Sequence, residues 1–320
     1  MPSMSQKGAF IDMPSQQLEA GLLPQGKKKF LTRSRMTMSG TCVNLFLPWI
    51  LFILVSADMT FSLHYNSPVL CWILAALALI VALAIGGLAA TKTQELLAGS
   101  ASPYPIWLIF LFLTSLLASI SGLVLGEVNY WENMHPYYDI QSLNTYRMVN
   151  PQFNHGKQIM DAGLVSFVNN ATLDLTKAYK FEDFDEYCVA PVSMRQNGAI
   201  EKLDYYDFWV VGLNCCPSNL TKYTDYKCGA FQSATARQGL RLMSENQRSF
   251  YKLAVEQATA SHKIKSNYPV FFFWAEDAAM ELKSYAQYGF NYFILSICCF
   301  FGLQLLLLLW TSFLVHKMGY

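Results

Sequence analysis

The stretch VLCWILAALALIVALAIGGLAA, residues 69–90, runs 22 residues without a charged side chain. As a helix rising 1.5 Å per residue it would be about 33 Å long, enough to cross roughly 30 Å of hydrocarbon. Working outward, three further runs have the same character, at residues 42–62, 106–124 and 292–315. A core helix of this length normally carries a polar stripe, and the second and fourth runs have none, so the pattern reads as four membrane-spanning helices. The first run is broken by Pro48, near its start where a kink is tolerated. Asp58, about one turn from its far end, is expected to reach the interface.

The whole chain agrees with that reading. Of 320 residues, 53% are hydrophobic and only 14% charged, against about 25% charged in soluble domains, and the deficit is concentrated in the four runs. A formal net charge of +1 excludes the basic excess of a nucleic-acid ligand. Lys27, Lys28, Lys29, Arg33 and Arg35 sit just before the first run. By the positive-inside rule they place both termini in the cytosol, and Lys92 and Lys317 agree. The first run is too long, and its cations too far from the start, for a cleaved signal peptide; it reads as a signal anchor. The expected organisation is a basic, disordered tail (1–40), three membrane helices (41–126), an extracytosolic domain (127–290) and a fourth helix with a short tail (291–320). The localisation that follows is a plasma membrane or an endomembrane.

Small residues recur every four positions on two of the runs: Ala78, Ala82, Gly86 and Ala90 on the second, Thr114, Ala118, Gly122 and Gly126 on the third. Such stripes let two backbones approach closely, so the second and third helices are expected to pack through them.

The segment 127–290 carries 15 basic and 18 acidic side chains and reads as a mixed α+β domain. Short β-prone runs lie at residues 164–168, 187–192 and 208–213. Ser244 followed by Gln247 is a helix-capping pattern, and Phe250, Leu253, Ala254 and Ala258 then recur at helical spacing. A second helix is expected to start near Ala275 and to lead through Gly289 into the fourth run. The acid-rich residues 182–186 read as a solvated loop.

Four of the eight cysteines, Cys188, Cys215, Cys216 and Cys228, fall in this domain, and an even number on an oxidising side implies two disulfides. Bonding Cys215 to Cys216 would close a strained ring. The remaining pairings both join Cys188 to one member of the vicinal pair and Cys228 to the other. Asn170 and Asn219 head glycosylation sequons on the same side. Cys42 is a candidate for palmitoylation, and Cys298 and Cys299 read as packing residues.

No motif specifies a reaction, and no cofactor or metal is called for. His135, His155 and His262 lack metal-ligand spacing relative to the cysteines. A transport path would need polar groups facing the bundle centre, and only Asn44, Asp58 and Gln304 qualify. The reading is therefore a membrane glycoprotein with a structural or surface-recognition role, its partners being the lipid bilayer and other membrane or surface molecules. A small transporter or channel subunit, and a membrane-anchored enzyme, are the alternatives.

Four passes with a large second loop containing a Cys-Cys pair resemble the organisation of tetraspanins. Pro217 after the pair, a first loop of only five residues and the lack of a polar residue within the third run depart from that pattern. The segments Tyr137-Tyr138-Asp139, Met160-Asp161-Ala162-Gly163, Tyr187-Cys188-Val189-Ala190-Pro191, Asp207-Phe208-Trp209, Gly212-Leu213-Asn214-Cys215-Cys216 and Cys228-Gly229 resemble an uncharacterised multi-pass membrane protein family of dinoflagellate-type algae. That resemblance implies a shared fold and disulfide frame and carries no activity.

Overall fold

The computed structural model describes residues 38–98, 105–216 and 226–317. Four helices are long and apolar enough to cross a membrane. Helix α1 spans Met38–Thr60, and a short helix α2, Ser62–Asn66, turns the chain into α3, Pro68–Leu97. Helix α4, Ile106–Asn129, continues through a π-helical turn, Tyr130–Met134, into α5, His135–Ser142. The last helix in the chain, α7, covers Ala278–Lys317 without a break, about 60 Å at 1.5 Å per residue.

Helices α3 and α4 pack on each other as expected, but not by meshing both stripes of small residues. Thr114, Ala118, Gly122 and Gly126 are all buried, and at Gly122 and Gly126 the near neighbour is α1. A Cβ on Gly122 would lie 3.2 Å from Val55, and one on Gly126 only 2.6 Å from the Met59 Cβ. On α3 the buried line is Cys71, Ala75, Ala82 and Ala89, a largely seven-residue spacing; Ala78 is half-buried and Ala90 exposed. Gly86 does meet α4, with a Cβ there 2.6 Å from the Phe112 ring. The correction has a simple cause. A groove of small residues states how near a neighbour can come and not which neighbour it is. On the fourth side Phe52 of α1 stacks on Phe300 of α7 with centroids 4.4 Å apart. Gln304 is fully buried and donates to the Asn44 carbonyl at 2.7 Å. Cys298 and Cys299, expected to pack, are exposed on the bundle surface.

Between α5 and α7 the chain builds a nine-stranded mixed sheet. Its strands are β1 Asn144–Val149, β2 Ala162–Phe167, β3 Ala171–Leu173, β4 Tyr179–Asp183, β5 Asp185–Gln196, β6 Ala199–Ile200, β7 Phe208–Leu213, β8 Gln238–Arg241 and β9 Val270–Ala275. The order is β1-β2-β8-β9-β7-β5-β3, with β4 and β6 also on β5, and β1–β2 and β7–β9 are parallel. Helix α6, Glu245–His262, starts at the Ser244 cap and lays Tyr251, Ala254, Val255 and Ala258 into the sheet core with Trp209, Phe271 and Phe272. A second cluster, Ile140, Leu240, Ala275, Ala278 and Leu282, joins the sheet to α5 and α7. Residues 182–186 are no free loop: they close the β4–β5 hairpin, with Phe184 at φ 58°.

Candidate functional site

The two disulfides organise one end of the sheet. Cys188 on β5 lies opposite Gly212 on β7. Just past β7 the chain turns through Asn214 in the left-handed region (φ 56°), so the neighbouring cysteines diverge. Cys216 bonds Cys188 with Cα atoms 6.0 Å apart, and Cys215 bonds Cys228 at 5.1 Å, which is one of the two pairings the sequence leaves open. Gly212 is required beneath them, because a Cβ there would lie 2.3 Å from the Cys215 sulfur. The sulfurs of Cys188, Cys215 and Cys228 lie within 4.8 Å of one another, but each is tied up in a bridge and offers no thiolate to a metal.

Three places gather side chains that could meet a ligand. The first is a polar groove of about 510 Å³ beside β3 and the β5–β6 turn, lined by Asn169, Asn170, Arg195, Gln196, Asn197 and Arg237. Asn170 is exposed in the β2–β3 turn, and its carbonyl accepts from the Arg195 amide at 2.7 Å. Among the described residues no carboxylate lines this groove, so its two guanidinium groups give it a positive cast. Asn219, the other sequon residue, lies outside the described residues.

The second is a cleft of about 610 Å³ where the sheet meets the helices that lead into the bundle. Trp131, His135 and Asp139 form one wall, Arg241 and the start of α6 the other, and Tyr285 of α7 closes the side. The two acids here are already engaged: Asp139 with His135 at 3.2 Å and Glu245 with Arg248 at 2.7 Å. Arg241 is different. Its Nη1 is buried without a hydrogen-bond acceptor, and its guanidinium lies over the Phe272 ring at 5.9 Å. Burial, and then the charge of Arg248, hold it below the ordinary arginine value, opposed by Glu245 and Asp161.

The third is a polar knot at the sheet-domain end of the bundle. Asp58 is half-buried, with both carboxylate oxygens buried and without a hydrogen bond, beside Cys71. His64 donates from Nδ1 to the Met59 carbonyl at 2.9 Å, stacks on Tyr130 at 4.0 Å, and lies 3.8 Å from Glu127. Glu127 accepts from the Trp131 indole at 2.8 Å, while its other oxygen, the one facing His64, is buried without a hydrogen bond.

Elsewhere Asp207 and His155 are committed to structure. Asp207 is buried and accepts from the amides of Gly156, Asn267 and Tyr268, stapling two loops together. His155, 3.9 Å from it, caps the turn Gly156–Ile159. Cys42 is exposed on the first turns of α1. Sequence reasoning missed Arg241 and the cleft entirely, because residues 131–139, 241–247 and 285 come together only through the fold. No protein-family model, curated protein or solved structure matches the chain.

Proposed function

We propose that this chain is an integral membrane glycoprotein of tetraspanin-like organisation, whose sheet domain faces away from the cytosol and recognises a polar surface partner. The carrying observation is the open, carboxylate-free groove with Arg195 and Arg237, whose amide and guanidinium donors suit a glycan or an acidic protein segment. Phe184 supports an interaction role. It is fully exposed at the β4–β5 tip with a left-handed backbone that bulky side chains rarely adopt. The two bridges support an oxidising compartment, and the exposed Asn170 sequon supports glycosylation there.

The test is a photocrosslinking amino acid at Asn197 in the full chain, in native membranes. A discrete adduct is expected, lost in Arg195→Glu/Arg237→Glu. No adduct at this or any other position of the sheet domain would overturn the recognition role. Protease protection of sealed vesicles tests the orientation: residues 127–290 should be spared and the N-terminal tail trimmed, and the reverse overturns it.

One observation favours a second reading. Buried carboxylates without a hydrogen bond in a membrane segment are costly and commonly mark ion or proton paths, and Asp58 fits that description. Under a transport role Asp58→Asn would abolish cation or proton flux in proteoliposomes; a tight vesicle with the wild-type chain would count against it.

A further inference from the structure

We infer that the cleft between the sheet and the bundle is a binding site for the phosphate of an anionic lipid headgroup, a role separate from surface recognition at the groove. The argument begins with charge. A guanidinium nitrogen that is buried and has no acceptor has lost its hydration without a replacement; Arg241 Nη1 is in that position, on a half-buried residue that lines a cleft with room for a ligand. The nearby carboxylates do not answer it. Asp139 is held by His135 and Glu245 by Arg248, while Asp161 takes the Asn144 amide and the Tyr146 hydroxyl. The same cleft receives the first turn of the 18-residue helix α6, through Ser244, Asn246 and Gln247. Ser244 caps the Gln247 amide, and the amides of Glu245 and Asn246 ahead of it add a second positive contribution beside the cleft.

Height identifies the source of the anion. Trp131 lies seven residues beyond residue 124, where the third apolar run ends, and Tyr285 lies seven residues before residue 292, where the fourth begins. At 1.5 Å per residue each sits roughly 10 Å above the hydrocarbon edge, just outside a headgroup layer about 5–7 Å deep, within reach of a phosphate that projects from it. The exposed Trp131, Tyr288 and Phe290 form the aromatic collar expected at that level. The apolar side chains lining the cleft, Ile140, Leu242 and Phe273 among them, suit the glycerol backbone of a lipid better than a fully hydrated ion. Planar arginine pairs with phosphate through two parallel hydrogen bonds, which fits a phosphomonoester headgroup.

The test uses the full chain in neutral detergent micelles, with thermal unfolding followed during titration with dioctanoyl phosphatidic acid, dioctanoylglycerol and inorganic phosphate. Phosphatidic acid is expected to raise Tm saturably, and dioctanoylglycerol is not. Arg241→Gln should weaken the apparent affinity about tenfold or more, as expected for loss of a charge-assisted pair. Asn246→Asp guards against a misfolded variant: an acid in the first turn favours the helix but repels an anion, so it should keep its unliganded Tm and still bind more weakly. An equal response to inorganic phosphate would assign the site to a free anion and overturn the lipid reading. No saturable response to either phosphate probe, or responses that both variants leave unchanged, would overturn the site itself.

Discussion

The side-chain amide of Asn129 donates to the Gly289 carbonyl at 2.9 Å, a buried bond between residues 160 apart in sequence. It pins the end of α4 to α7 where both helices leave the bundle, and Asn133 in turn donates to the Asn129 oxygen at 2.9 Å. Asn129→Ala should therefore lower stability in detergent by about 1–2 kcal/mol, the usual range for removing one partner of a buried hydrogen bond. Asn133→Ala, less buried, should cost less. Chemical unfolding monitored by tryptophan fluorescence would rank them; equal effects would contradict the pinning role.

Gly126 and Gly87 give a matched pair for the bundle. A Cβ at Gly126 meets the Met59 Cβ and the Ser56 backbone, whereas one at Gly87 meets nothing within 4 Å. Gly126→Leu should separate α1 from α4 and cost several kcal/mol, on the order of other overpacked cores, while Gly87→Leu should leave the melting midpoint within about 1 °C. Gly86→Leu should fall between them, since the atoms it meets belong to the Phe112 ring, a side chain able to turn aside.

The disulfide frame makes its own prediction at a residue that is not a cysteine. Because Gly212 passes under the Cys215–Cys228 bridge, Gly212→Val should block that bond and leave free thiols at 215 and 228 in non-reducing peptide mapping. The Cys188–Cys216 bridge should persist. Removing the latter, with its separation of 28 residues, should cost roughly 3–4 kcal/mol by loop-closure entropy, slightly more than removing the one that spans 13.

Two buried tyrosines should separate at neutral and alkaline pH. Burial raises both Tyr226 and Tyr251 above the ordinary phenol value, each with a smaller contribution from the other or from nearby groups. A raised folded pKa means stability that is complete below the unfolded value of about 10 and erodes as pH climbs through the folded one. Tyr226 donates to the Val210 carbonyl at 3.2 Å, so Tyr226→Phe should cost about 1 kcal/mol at pH 7. The Tyr251 hydroxyl is buried without a partner, so Tyr251→Phe should be neutral or stabilising there. Both variants should show a shallower loss of Tm above pH 10 than the wild type.

Phe184 couples strain to contact. Glycine at that position would relieve the left-handed backbone, and Phe184→Gly is expected to leave the fold as stable or up to about 1 kcal/mol more stable. If the exposed ring serves partner recognition, the same change should reduce capture of the crosslinked partner several-fold. A variant that keeps full capture would remove Phe184 from the interface.

What the sequence disclosed follows from how local each signal was. The apolar runs, the Ser244 cap and the logic of Cys188, Cys215, Cys216 and Cys228 are all written within short windows, and each appears in the structure. Strand β9 was hidden because Val270, Phe271, Phe272 and Trp274 are all buried, so its two inward faces erase the alternation that marks a half-exposed strand. Strand β1, largely exposed at the sheet edge, hides for the opposite reason. The stripe on α4 was visible but its partner was not, since α1 and α3 present equally apolar surfaces to it. Arg241 reads as an ordinary surface arginine until the fold buries it.

The unbroken course of α7 has a geometric consequence. Each residue of an α-helix advances the azimuth by about 100°, so one residue inserted between Leu282 and Gly289 would swing the sheet end of the helix by nearly a third of a revolution relative to the bundle. Ala278 and Leu282 would then fall out of phase with Ile140 and Leu240, and with both ends of the sheet domain tethered, the error could not be absorbed by swivelling about one tether. Only insertions near a whole number of turns, about seven residues, would restore the alignment. The length of that segment is thus quantised by the helix repeat, in a way that no single side chain in it is.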